Sequence, residues 1–329
     1  MPRALAILAR RLLSAVPVVL IVALGGFLLV EAAPGDAVDA YVASAGGDAT
    51  MAAELRRAWG LEGGVIGRLL AYGTALAHFD LGRSLALSRP VLDVVMERLP
   101  NTLMLMAAAL SLSFSFGSLL GIVAGARPGS WRDRLLSMLS LAVYAIPSFW
   151  LGLVLAIVFA VNLRWLPLSG IETMASGKSG WARAVDIGRH LVLPVAALGL
   201  IYTALYLRVM RSAMAEIWRA DFIRACRARG LAPRRILFAH VARNALLPLV
   251  TLLGVQAAAM LGGSVVIESI FAIPGLGRLA QEAVAGRDAP LLVGIILVSS
   301  VCVIAVNLAV DVIAAALDPR IGSGSERAA

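Results

Sequence analysis

The sequence predicts an all-α integral membrane protein of six transmembrane helices, with a basic helix–corner–helix loop between the fourth and fifth spans. Sixty percent of its 329 residues are apolar and only 15% are charged, whereas a soluble domain carries about 25% charged residues. Six long apolar runs punctuate the chain, and the arginines gather in the segments between them. The net charge of +9 is therefore a topology signal, and nucleic-acid binding is set aside.

The first run, over 12–30, follows Arg10-Arg11 and is long enough for about 30 Å of hydrocarbon. A signal peptide would have a shorter core and a small-residue cleavage site, so a retained span is expected. The segment 31–100 comes next. Within it Val65, Ile66, Leu69, Leu70 and Leu76 fall near one helix face, which predicts a short amphipathic element on the outer membrane surface.

Further runs occupy 102–126, 135–163, 191–207, 245–267 and 291–316. The run 135–163 exceeds one span, so its ends are expected to tilt or lie in the interface. Pro147 and Pro194 fall inside or near the ends of runs, where proline kinks helices. Gly262-Gly263 permits close helix approach, with plain packing as the simplest account. One domain over 1–329 is expected, since no boundary or internal repeat is visible.

Orientation follows from the arginines. With the N-terminus inside, and Asp311 counted with the inner side, the inner segments hold seventeen Lys+Arg against six Asp+Glu, and the outer ones twelve against fourteen. Both termini and the 208–244 loop, with its nine arginines, are thus expected in the cytoplasm, and 31–100 outside.

The 208–244 loop has its own structure. Asp221 to Arg229 reads as a helix that stops at Gly230, because glycine enters the left-handed conformation at no steric cost. Pro233 then starts a second helix, its fixed φ suiting a first turn whose N–H has no partner. The plain alternative, a topogenic anchor, explains the charge but not the glycine and proline.

At these residues the chain resembles the permease subunits of bacterial ABC importers for dipeptides, oligopeptides and nickel. The match is Arg224-Ala-Cys-Arg-Ala-Arg-Gly230, then His240, Arg243-Asn244 and Pro248. It extends through Ala33-Pro-Gly-Asp36, Phe79-Asp-Leu-Gly-Arg-Ser84 and Arg98-Leu-Pro100. The last quarter adds Leu261-Gly-Gly-Ser-Val-Val-Ile-Glu268, Phe271, Pro274-Gly275-Leu-Gly277-Arg278, Arg287-Asp288, Asn307-Leu and Asp318-Pro-Arg320, so nearly the whole chain is covered. Cys226 departs from a usual small Ala. Ala232 departs from a common Ser cap, a loss of about 1 kcal/mol that favours fraying of the second helix.

What the resemblance implies is specific. Asp221, Ala225, Cys226, Arg229, Gly230, Leu231, Pro233, Arg234 and His240 would form the element that docks into a groove of the ATPase. Arg243, Asn244, Pro248, Glu268, Pro274, Gly275, Gly277, Asn307 and Asp311 would be structural. The partners would be a second, different permease, two cytoplasmic ATPases carrying ATP and Mg, and a periplasmic or lipid-anchored binding protein met by the outer loop. The location would be the bacterial inner membrane, and the cargo most often a peptide, with nickel or glutathione as alternatives.

The chain itself carries no catalytic or cofactor motif. No phosphate-binding Gly-x-x-x-x-Gly-Lys-Ser/Thr loop occurs, and the three histidines and two cysteines are scattered, without metal or redox spacing. Glu268 and Asp311 sit near the ends of apolar runs, where snorkelling or pairing is the plain expectation, and Asp311 shares a helix face with Asn307, which points to an interhelical hydrogen bond. A gradient-driven transporter would show inverted repeats and mid-membrane acids. Neither is visible.

Overall fold

The computed structural model describes residues 2–32, 48, 50–51, 64–174 and 177–317, and these are nearly all helical. In order they form α1 (Pro2–Ala32), α2 (Val65–Ala77), α3 (Val91–Gly125), α4 (Trp131–Ala145) and α5 (Ser148–Leu155, continued as a π-helix over Ala156–Asn162). Then come α6 (Gly180–Ile217), α7 (Asp221–Ala228), α8 (Pro233–Ile270), α9 (Leu276–Ala285) and α10 (Ala289–Leu317). The motifs at Ala33–Asp36 and Asp318–Arg320, and the side chain of Asp311, lie outside the described residues.

Among the described residues, α3, α6, α8 and α10 are each long and apolar enough to cross a membrane. The pair α4 and α5 makes up to a fifth span. The remaining expected run, 12–30, falls in α1, whose described apolar stretch is Leu13–Leu28.

Two prolines behave differently. The run 135–163 breaks in the middle, where α4 and α5 meet at 98°. Ile146 is extended (φ −82°, ψ 129°) and Pro147 precedes the first turn of α5, as the steric restriction on a residue before proline requires. Pro194, by contrast, lies within the unbroken 38-residue α6. Its neighbours carry the helix through, as in many membrane spans.

The bundle is built on α3 and α6. They run parallel and touch along a stripe of small residues, because a Cβ at Gly117 would lie 2.5 Å from Cβ of Tyr206, one at Gly121 2.4 Å from Cβ of Met210, and one at Gly125 2.9 Å from Cβ of Met214. Ser113 Oγ donates to the carbonyls of Ala109 (2.6 Å) and Gly199 (2.9 Å) at the head of the stripe. Small residues bring helices together in lipid, where apolar burial offers no net drive. Gly262 is not so used: nothing lies within 4 Å of a Cβ there, and it lines a cavity of about 420 Å³ among α1, α3, α8, α9 and α10, while a Cβ at Gly263 would make ordinary contact with Leu198 and Tyr202 of α6.

Three clusters fill the rest. Leu105, Leu191, Leu198, Met260 and Phe271 pack in one half of the bundle, and Tyr206, Met210, Met214, Ile223, Ile236 and Leu249 in the other. Val91, Val95, Leu276, Leu279 and Leu291 join α3, α9 and α10. The amphipathic α2 forms as expected, with Ile66 and Leu70 exposed. Its Tyr72 and Leu76 rest on Ala23, Val293 and Leu297, and Arg68 pairs with Glu31.

Candidate functional site

One end of the bundle carries the basic corner. Helix α7 has eight residues and buries Ile223, while half-buried Cys226 and Leu231 join the same cluster with Met210, Met214 and Ile236. Gly230 stands just past its end at φ +71°. The Gly230 N–H donates to the Arg227 carbonyl (2.9 Å) and the Leu231 N–H to the Cys226 carbonyl (3.3 Å), the paired bonds of a left-handed helix stop. Cys226 and Leu231 thus form the apolar contact that accompanies such a stop.

Pro233 occupies the first turn of the next helix, and its preceding residue Ala232 makes no side-chain cap. The expectation of a separate short second helix is corrected here. Pro233 begins α8 itself, which runs through a π-helical turn over Ile236–Ala242 and on to Ile270. The second arm of the corner is the span. Arg208 and Arg211, expected in the loop, lie within α6, which ends only at Ile217.

The exposed face of the corner carries Asp221, Ala225, Arg229, Gly230, Pro233 and Arg234. Asp221 pairs loosely with Arg224 at 3.4 Å, both well exposed, a contact worth little in water. His240 is half-buried in the π turn, and its carbonyl accepts from Asn244 Nδ2 at 2.6 Å. Arg243 is exposed at the start of the regular part of α8, and Pro248 lies within it.

Residues that the motif reading missed fix this corner. Trp218 Nε1 donates to the Gly125 carbonyl at 2.9 Å, and the Arg227 guanidinium lies 5.4 Å from the Trp218 ring centroid. Asp133 is buried, accepts from the Gly129 N–H at 2.8 Å and pairs with Arg211, tying the start of α4 to α6. Phe222 (44% exposed) and Phe238 (60%) present rings on the outside of α7 and the π turn. A tryptophan beside basic residues was the only signal for the first of these.

The other end is a knot around Glu268. The carboxylate is fully buried, and among the described residues it forms no ion pair. Its Oε1 accepts from Thr102 Oγ1 (2.8 Å), and its Oε2 from the N–H groups of Gly277 (2.7 Å) and Arg278 (3.1 Å). Thr102 Oγ1 in turn accepts from the Leu276 N–H at 2.7 Å. Three of the four donors that open α9 are so satisfied, and the positive end of the helix faces a carboxylate.

The glycines of the 274–278 motif make room for this. A Cβ at Gly275 would lie 2.4 Å from Glu268 Oε2, and one at Gly277 2.5 Å from the Val265 Cα. Asn101 Nδ2 donates to the Pro274 carbonyl at 2.8 Å. Beside the knot, Asp288 is buried at the head of α10: it accepts from the Leu291 N–H (3.1 Å), the Ala86 N–H (3.0 Å) and Ser84 Oγ (2.5 Å). Two motifs far apart in sequence, Phe79–Ser84 and Arg287-Asp288, form one site.

Asn307 Oδ1 sits where α8 and α10 come closest, 2.7 Å from the position of a Cβ at Gly254.

The chain is similar to known transport permeases. It is 37% identical over 316 residues to a putative peptide transport system permease of Brucella abortus, covering 96% of this chain and 98% of that one. A di/tripeptide transport system permease of Pseudomonas aeruginosa is 37% identical over 333 residues with the same coverage. An oligopeptide transport system permease of Bacillus subtilis is 35% identical over 317 residues, covering 96% and 99%. An inward-facing structure of the MetNI methionine ABC transporter superposes with a TM-score of 0.55 at 18% identity, over 68% of this chain and 96% of that chain, which shows the shared fold. Residues 117–323, from the glycine stripe through the basic corner and the Glu268 knot, match the family of binding-protein-dependent transport system inner membrane components, and the chain belongs to that family.

Proposed function

We propose that the chain forms half of the translocation pathway of an ATP-driven importer of di- or oligopeptides, paired with a second, different permease. Two cytoplasmic ATPases, holding ATP and Mg, dock against the corner formed by α7, Gly230 and the head of α8. The binding protein approaches the opposite end, where Ser84, Asp288 and Glu268 fix the surface loops. Both termini and the corner over 218–244 then lie in the cytoplasm of a bacterial inner membrane, in keeping with the arginine distribution. The chain itself catalyses nothing.

One observation carries this reading most: an exposed basic corner built on a left-handed glycine stop, whose second arm is continuous with a span. A stiff element of that kind passes movement of a docked subunit into the membrane. Gradient-driven transport is disfavoured because, among the described residues, the buried acids Glu268 and Asp288 cap helices and Asp133 and Asp186 are ion-paired.

The test is purification of the chain with its partners, followed by uptake of labelled tripeptide into proteoliposomes. Retention of two ATPases and uptake that needs ATP but survives a protonophore are expected. Uptake that collapses with the proton gradient at constant ATP overturns the energy source. Uptake of nickel or glutathione in place of peptide overturns the cargo alone.

A further inference from the structure

Arg208 stands one residue past the apolar run 191–207, half-buried within the unbroken α6 rather than in a loop. Its guanidinium carbon lies 4.2 Å from the centroid of the Tyr144 ring. Tyr144 is near the far end of α4, about 20 Å of helix from Trp131 where that helix begins. Arginine in a span ordinarily snorkels to the interface. Arg211, one turn nearer the corner, does the ordinary thing and pairs with Asp133. Arg208 points the other way, and its buried Nε has no hydrogen-bond partner. Among the described residues no carboxylate pairs with it, since Asp133 is the acid of α4 and is already taken.

Tyr144 (48% exposed) stands two residues before the Ile146–Pro147 break, and Pro147 is itself exposed. Non-helical backbone at membrane depth is tolerated only against protein or beside a water-filled passage. Discontinuous helices of this kind build substrate sites in transporters. A guanidinium with a ring on one side and a free donor edge is a receptor for a planar anion.

We propose that Arg208, held over Tyr144 beside the α4–α5 break, is a carboxylate site on the cargo route, taking the free carboxylate of a peptide as it crosses. The site rests on the import reading but not on which solute is carried. The shared chemistry also suits a lipid phosphate or an acidic side chain of the second permease, and the test separates these.

The assembled importer in neutral phosphatidylcholine nanodiscs is titrated with N-acetylalanine, N-acetylalaninamide and sodium chloride, and its unfolding temperature is followed. The acid, and neither the amide nor chloride, raises that temperature in the wild type. Arg208→Gln abolishes the acid response. Arg208→Lys keeps the charge but loses the planar fork, so it weakens the apparent affinity about tenfold. An equal response to acid and amide, or an acid response that survives in Arg208→Gln, overturns the proposal. So does the absence of any acid response, which, where added phosphatidylglycerol also has no effect, assigns the arginine to the second permease. If the wild type but not Arg208→Gln is stabilised by adding phosphatidylglycerol while the acid has no effect, the site belongs to lipid. None of these readings needs transport, so failure of peptide uptake leaves them intact and sinks only the cargo assignment.

Discussion

Ser84 Oγ donates to Asp288 Oδ2 at 2.5 Å, and through that bond the segment before α3 is fastened to the first turn of α10. The same carboxylate caps α10 through the Leu291 N–H. Asp288→Ala removes a cap worth about 1 kcal/mol and leaves two further donors without a partner, each costing about 1–3 kcal/mol. A clear fall in unfolding temperature in detergent is expected. Ser84→Ala removes one donor and should show a smaller fall in the same assay.

Glu268 accepts from three donors at once. In Glu268→Gln an amide NH2 replaces one acceptor and faces a donor, for a loss of about 2–3 kcal/mol. Gly275→Ala should be at least as damaging, because its Cβ has no room against Glu268 Oε2. Thermal unfolding of both variants beside the wild type measures this, and an unchanged midpoint would show that the knot does not hold α9.

Gly230 tests the corner. A Cβ there meets nothing within 4 Å, so any penalty comes from the backbone at φ +71°, about 1–2 kcal/mol for an L-residue and less for Asn. Gly230→Val should reach the membrane at normal level yet lose its ATPases or fail to couple their hydrolysis to uptake. Gly230→Asn should be milder. Full ATPase retention and full uptake in the valine variant would reduce the corner to a topogenic anchor.

Ala272 offers the converse. It ends α8 at φ +49°, with the Ile273 N–H bonded to the Glu268 carbonyl at 2.8 Å, the same kind of stop as at Gly230 but without a glycine. Ala272→Gly should stabilise by about 1 kcal/mol, seen as a raised unfolding midpoint.

These two stops show what can be read from a sequence. Gly230 with Pro233 announces a corner because glycine opens the left-handed region and proline fixes φ for a first helical turn. Phe79, Ala272 and Arg287 make equivalent left-handed stops with side chains that announce nothing. Pro147 and Pro194 both mark places where a helix can kink, but composition does not tell the 98° break at the first from the unbroken helix at the second. The close approach of α3 and α6 lay in three glycines spaced one turn apart, and the more conspicuous Gly262-Gly263 drew attention away from them. Glu268 was visible as a costly acid, but Thr102, which shares its task, is one hydroxyl among many. Its partnership depends on two distant segments meeting.

The continuity of α8 through its π turn has a mechanical consequence. From Pro233 to Ile270 the helix is about 56 Å long at 1.5 Å per residue. Ile236 is seated beside the corner and Glu268 grips the start of α9, so one stiff element ties the basic corner at one end of the bundle to the first turn of α9 at the other.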